Sequence, residues 1–301
     1  MNNWVVVVGG TNMDVVARTS APLVPATSNP GHTRISPGGV GRNIASCLGL
    51  LGAPVRLVSA VGDDTFGDEA LRVTAASGAD VGAVRRVPGA ATGTYTAVLD
   101  DRGELVAAVS DMAVVDALVL ETVHLSDAAL VVVDGNLAHE QAALVVAAAA
   151  AADVRAAFEP VSVAKAARLA DLVHDLFLVT PNTDELAAIT GRPVGEWRDS
   201  VADLHGRGVE HVWVRQGADG SWMCSRGHEP VHLLAEPATV VDVTGAGDAM
   251  LAAWVAAWLD GADPVEAARS GHRAAAATIE SPHTVRPDLA AAVRHHREKR
   301  S

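Results

Sequence analysis

Apolar residues are grouped along the chain in short runs: Val5–Val8, Val55–Ser59, Leu130–Val133, Val154–Phe158, Leu176–Val179 and Val212–Val214. Several are followed by stretches with helical spacing, and this alternation predicts an α/β fold built on a doubly wound, mostly parallel sheet. A helix is predicted from about Gly41 to Leu51, where Ile44, Cys47, Leu48 and Leu51 recur at the spacing of one helical face. Cys47 therefore reads as core.

Two stretches break the rhythm. Residues 12–36 are rich in Pro, Ser, Thr and Asn, and residues 92–110 read as strand, turn at Asp100-Asp101-Arg102-Gly103, and strand. With no repeat or disordered linker, the chain is expected to form a single domain over 1–301. Segments 12–36 and 92–112 supply a small β-sheet, read either as a lid that excludes water and shapes an acceptor pocket or as a fixed edge hairpin.

Composition narrows the picture. Aromatic residues are 3% of the chain, so the core must be built from Ala, Val and Leu. The net charge of −13 argues against a nucleic-acid surface, which is bound through clustered Lys and Arg. The only lysines are Lys165 and Lys299, so a nucleotide would be held by amides, arginines and a divalent metal, which points to Mg²⁺. Cys47 and Cys224 form neither a disulfide framework nor a zinc spacing, and a reducing cytoplasm is the simple expectation. The N-terminus lacks the basic region of a signal peptide, and no segment reaches membrane-spanning length. The tail His295-His296-Arg297-Glu298-Lys299-Arg300 reads as a solvated helix end.

The chemistry concentrates at Asp242-Val243-Thr244-Gly245-Ala246-Gly247-Asp248, ahead of a long apolar helix. Gly245, Ala246 and Gly247 let backbone amides crowd an anion at a helix start. A carboxylate immediately after an anion site suits phosphoryl transfer: the amides hold developing phosphate charge while Asp248 takes a hydroxyl proton. The plain alternative is a helix start with an acidic residue favoured by the dipole.

Other clusters each carry two readings. Gly38-Gly39-Val40-Gly41-Arg42-Asn43 is a turn before a helix, or a set of donors for hydroxyls or phosphate. Gly10-Thr11-Asn12-Met13-Asp14 follows the first strand, where Asp14 closes an Asx turn or accepts two sugar hydroxyls. Asn182 and Glu185 have capping-box spacing, sufficient in itself; the functional reading puts Glu185 on Mg²⁺ through water. Gly217 and Gly220 form a hairpin turn or admit a nucleotide.

Taken together, these pieces resemble the PfkB, or ribokinase-like, carbohydrate kinase family across nearly the whole chain. The resemblance rests on Gly10–Asp14, Gly38-Gly39 with Asn43, Asn182 with Glu185, Gly217 with Gly220, and Asp242–Asp248. It implies a ribokinase-like fold that uses ATP and Mg²⁺, with Gly245–Gly247 as anion hole and Asp248 as base. Asn182 and Glu185 would organise magnesium and phosphate, Gly217, Gly220 and Thr244 would lie with the nucleotide, and Asp14 would bind acceptor hydroxyls. Asn29-Pro30-Gly31, Gly39–Ala45, Thr94–Asp100, Ser110-Asp111-Met112 and Glu159–Lys165 look most like the pseudouridine kinase branch, whose members phosphorylate the nucleoside 5′-hydroxyl. On that reading Asn12, Asp14, Gly39 and Asn43 hold the ribose, while Asp111 and Lys165 face the base. Relatives commonly carry a monovalent cation (K⁺) near Asp242 and the 278–284 loop, and often pair lid strands in a homodimer. Rival readings are a ribokinase, adenosine kinase or sugar-acid kinase, and an idle nucleoside sensor.

Overall fold

The computed structural model describes residues 4–118 and 125–298. Eight strands form the central sheet: β1 (Trp4–Val8), β4 (Val55–Val58), β9 (Ala128–Asp134), β10 (Arg155–Glu159), β11 (Leu178–Val179), β12 (His211–Arg215), β13 (Ser221–Ser225) and β14 (Val231–Leu233). Their order is β14-β13-β12-β11-β10-β9-β1-β4, parallel from β4 to β12, with β13 antiparallel to both its neighbours. All six predicted runs coincide with strands, which leave out Ser59 and Val154 at the run ends and shorten Leu176–Val179 to Leu178–Val179. The antiparallel edge had no clear apolar signature: β13 mixes Ser221 and Ser225 with Trp222 and Cys224.

Successive residues alternate between two buried cores, which explains why the central strands are apolar on both faces. Val5, Val7, Leu130, Val132 and Trp213 meet α1 (Val40–Leu50), α7 (Ala246–Leu259), α8 (Pro264–Ile279) and α9 (Leu289–Glu298). Val6, Val8, Val131, Val133 and Val212 meet α3 (His139–Ala151), α4 (Val163–Arg168), α5 (Thr183–Thr190) and α6 (Trp197–Gly206). Ile44, Cys47 and Leu48 are buried on α1 as their spacing predicts. His295 is exposed, but His296 is buried with Nε2 3.3 Å from Glu280 Oε2, so that part of the tail is docked; Lys299 and Arg300 lie outside the described residues. Among the described residues no helix is long and apolar enough to cross a membrane.

A second sheet of four strands has the order β3-β2-β7-β8, from β2 (Asn12–Thr19), β3 (Gly31–Gly38), β7 (Gly93–Leu99) and β8 (Leu105–Asp111). A two-stranded pair, β5 (Ala60–Gly62) with β6 (Arg85–Val87), and α2 (Thr65–Ala76) complete the chain. Only Gly9-Gly10-Thr11 separate β1 from β2, so the small sheet begins where the central sheet ends. Strand order reverses between β1 and β9, opening a crevice at the strands' carboxyl ends.

Candidate active site

The crevice is floored by the start of α7. Gly245 occupies the N-cap position with φ 81°, and a Cβ there would lie 2.1 Å from the Thr284 carbonyl oxygen. Only glycine fits both the left-handed backbone and that approach. A Cβ on Gly247 would lie 2.7 Å from Arg215 Nη1, so this turn also packs against a guanidinium. No side chain caps the helix, the arrangement in which first-turn amides can donate to an anion. The Ala246 amide makes a long 3.3 Å bond to the Val243 carbonyl, and the Thr244 amide donates to Asp242 Oδ1 at 2.9 Å.

One turn into α7, Asp248 receives a 2.7 Å hydrogen bond from the Asn43 side-chain amide. Burial pushes Asp248 up to about 8; the Asn43 bond and Arg215 oppose the shift, and the charges of Glu159 and Asp134 add to it. Asn43 is on the first turn of α1, whose approach to β1 depends on small residues: a Cβ on Gly41 would stand 2.8 Å from Gly9 Cα. Asp14 lies beside this helix start, within 2.4 Å of where a Gly38 Cβ would be, and accepts 2.7 Å from Asn12 Nδ2. Burial raises the Asp14 carboxyl. Gly39, at φ 96°, has no room for a side chain against Gly10 and Thr11. Asn12 with Asp14, and Gly39 with Asn43 and Asp248, thus form two bonded groups at the junction of the two sheets, linked through the Gly38-Gly39 backbone.

A buried ion network borders the other side of the turn. Arg215, at the end of β12, donates to Glu159 Oε1 at 2.7 Å and lies 3.5 Å from Glu185 Oε2. Burial disfavours its charge, yet the two glutamates hold Arg215 above the usual arginine range. Thr180 Oγ1 donates to Glu159 Oε2 at 2.6 Å. The capping box forms: the Glu185 amide donates to Asn182 Oδ1 at 2.8 Å and the Asn182 amide to Glu185 Oε2 at 2.9 Å. Burial raises the Glu185 carboxyl, with Arg215 opposing. Gly217 and Gly220 make the turn between β12 and β13; Gly217 borders open space, whereas a Cβ on Gly220 would strike the Leu233 carbonyl at 2.0 Å.

Asp134, at the end of β9, is fully buried and receives the Gly10 and Gly41 amides, each at 2.9 Å. It also holds Asn136, which in turn bonds Lys165 Nζ. Burial pushes the Lys165 ammonium down. Asp111 stands exposed at the end of β8, in register with Thr94, and a Cβ on Gly93 would lie 3.2 Å from the Asp111 carbonyl oxygen and 3.4 Å from Asn12 Cβ. Asp134, Glu159 and Arg215 had no part in the sequence-based site. Their one signal was a charged residue directly at the end of an apolar run, which is where open parallel sheets place ligand groups.

The donor set has oxygens suited to a divalent cation. Glu159 and Glu185 are both 3% exposed and share a single guanidinium, so the cluster keeps net negative charge. Hard carboxylate oxygens of this kind suit Mg²⁺ held through water.

Residues 2–291 match the pfkB family carbohydrate kinases. A pseudouridine kinase of Escherichia coli (strain K12) is 33% identical over 299 residues, covering 96% of this chain and 95% of that protein. A pseudouridine kinase of Arabidopsis thaliana is 27% identical over 94% of this chain and 92% of its own length. Among solved structures, a carbohydrate kinase from Agrobacterium tumefaciens superposes with a TM-score of 0.83 at 28% identity, covering 98% of this chain and 96% of that one. The Arabidopsis ribokinase complexed with ribose and ATP shares the fold at a TM-score of 0.85, 24% identity, and 97% and 99% coverage.

Proposed function

Because the chain belongs to the pfkB family of carbohydrate kinases, a phosphotransferase family with alcohol acceptors, we propose that it phosphorylates the 5′-hydroxyl of pseudouridine with ATP. The observation that carries this reading is the contact of Asn43 with Asp248 directly behind the Gly245–Gly247 turn. In the proposed reaction Asp14, the Gly39 amide and Asn43 bind the ribose. Lys165 and Asp111 are the candidates for the base, where the second ring N–H of pseudouridine distinguishes it from uridine. Asp248 takes the 5′-hydroxyl proton as the oxygen attacks the γ-phosphorus; the bond to the bridging oxygen breaks and ADP leaves. A carboxyl held near 8 is a stronger base than an ordinary carboxylate once ionised, and its ionised fraction, small at neutral pH, grows as pH rises towards 8. The Gly245, Ala246 and Gly247 amides receive the migrating phosphoryl group, with Asn182, Thr244, Gly217 and Gly220 on the nucleotide side.

Glu185, joined by Glu159, would hold Mg²⁺ through water, and the ion would neutralise phosphate charge. A monovalent cation is left out of this reading. Its expected place already receives a guanidinium: Arg34 Nη1 donates to the Pro282 carbonyl at 2.7 Å, and Nη2 lies 3.8 Å from Asp242 Oδ2. The small sheet, in the role of lid, would dry the site. Its edge strand β8 is exposed throughout, including Leu105, Val106 and Val109, which supports a homodimer through the lid.

The test is a panel of acceptors with ADP detection. Pseudouridine is expected to have the highest kcat/KM; ribose or adenosine faster by more than about tenfold would overturn the substrate. Asp248→Asn is expected to lower kcat by about 10²–10⁴-fold while acceptor binding persists. Unchanged turnover would remove Asp248 as the base.

A further inference from the structure

Outside the site just described, a cavity of about 380 Å³ lies between α1, α2, β3 and the segment from Pro282 to Pro287. That volume is within the range of small-molecule sites. None of the proposed acceptor, nucleotide or base residues lines it. Its wall is largely apolar, with Leu50, Val73, Ala76 and Val285, but it also contains Arg34 and Arg42 and no carboxylate.

Both arginines face an acid outside the cavity, Arg34 at 3.8 Å from Asp242 and Arg42 within electrostatic reach of Asp14, but no carboxylate lines the cavity itself. Arg42 is 2% exposed, and its hydrogen-bond acceptors are the backbone carbonyls of Gly38 and Pro37. Burial disfavours the Arg42 charge, the carbonyls that accept from it are neutral, and Asp14 and Asp248 offset the cost without hydrogen-bonding it, so an anion in the cavity would stabilise that charge further. Ser46 also lines the cavity, is 1% exposed, and has a hydroxyl with no hydrogen-bond partner. Buried hydroxyls are normally paired, so this one is a donor to spare for a ligand.

We propose that this cavity is a regulatory site for a small organic anion, a phosphate or carboxylate on an apolar or aromatic body. The arginines meet the anionic group, and the apolar wall covers the body. Two contacts couple the site to the phosphoryl-transfer turn. Arg34 lies 3.8 Å from Asp242, at the head of the signature, so an anion that recruits Arg34 withdraws it from that carboxylate. Thr284, a lining residue, places its carbonyl oxygen where Gly245 leaves no space for a Cβ, so displacement of this segment moves the anion turn.

The experiment is calorimetric titration of the full chain, saturated with a non-hydrolysable ATP analogue, with phenyl phosphate, benzoate and inorganic phosphate. One aromatic anion is expected to bind at one site per chain, at least about tenfold tighter than inorganic phosphate, and Arg34→Gln is expected to weaken it by about tenfold or more. Ala76 is exposed on α2, and Ala76→Trp is expected to fill the cavity and abolish binding while leaving basal kcat/KM unchanged. The same anion is expected to change kcat in the native enzyme and not in Ala76→Trp. Absence of binding, binding that survives Ala76→Trp, or equal affinity for inorganic phosphate would each overturn the proposal. Arg34→Gln carries the test alone should the tryptophan variant fail to fold.

Discussion

The Asn43 side-chain amide and the Asp248 carboxylate meet at 2.7 Å although 205 positions separate them in sequence. This bond favours the ionised carboxylate and works against the burial that lifts Asp248 to about 8. In the proposed reaction Asp248 must be ionised to take the proton, so kcat/KM is expected to rise with pH through about 8 in the free enzyme. In Asn43→Ala the rising limb is expected to move to higher pH. A limb that stays in place in a pH–rate profile of this variant would show that the bond does not tune the base.

The same shift predicts a stability profile. Asp248 titrates at 3.8 when unfolded and about 8 when folded, so its contribution is complete below 3.8 and is lost as pH rises through about 8. Asp248→Asn cannot ionise. Its Tm relative to the native chain is therefore expected to climb between those pH values, as read by thermal melts across that range.

Arg215 is the shared cation of Glu159 and Glu185 from a single buried position. Arg215→Met would leave two buried carboxylates without a counter-ion, a loss of about 3–5 kcal/mol in denaturant unfolding. Adding Glu159→Gln to it is expected to recover part of the loss. A double variant no more stable than the single one would argue against electrostatic compensation.

The Trp213 indole N–H donates to Ser221 Oγ at 2.8 Å, which leaves the serine hydroxyl to donate to His272 Nε2 at 2.7 Å. His272 must be neutral for this. Burial pushes it down to about 4 from 6.5, so the stability it contributes is present above 6.5 and lost as pH falls through about 4. Acid unfolding is expected to have a component in that window that His272→Asn lacks.

Beside it, a Cβ on Gly271 would come within 2.3 Å of Trp213, which is fully buried. Gly271→Ala is expected to cost about 1–3 kcal/mol by overpacking. Chemical denaturation of this exposed-to-no-solvent position measures it, and a neutral result would mean that α8 shifts freely over the sheet.

Val109, at 68% exposure, is central to the apolar surface of β8. If that edge pairs two chains, Val109→Lys is expected to convert a dimer to a monomer in light scattering while the fold is retained. A native chain that is monomeric at assay concentration would remove the homodimer.

The sequence by itself determined the parts whose physics is local. Apolar runs identified the central strands, the Asn182–Glu185 spacing specified a capping box, and Gly245–Gly247 before an apolar helix identified a turn that tolerates only small residues. The tertiary structure alone decided the electrostatics. Asp134, Glu159 and Arg215 each end a strand far from the others in sequence, and only the parallel stacking of β9, β10 and β12 brings their charges around Asp248. The antiparallel strands β13 and β14 were equally hidden, because a mixed polar pattern becomes a strand only when a neighbour supplies its hydrogen bonds. Local pattern follows from bonds within a few residues, whereas a carboxylate's burial and its partners depend on chain segments that meet only after folding.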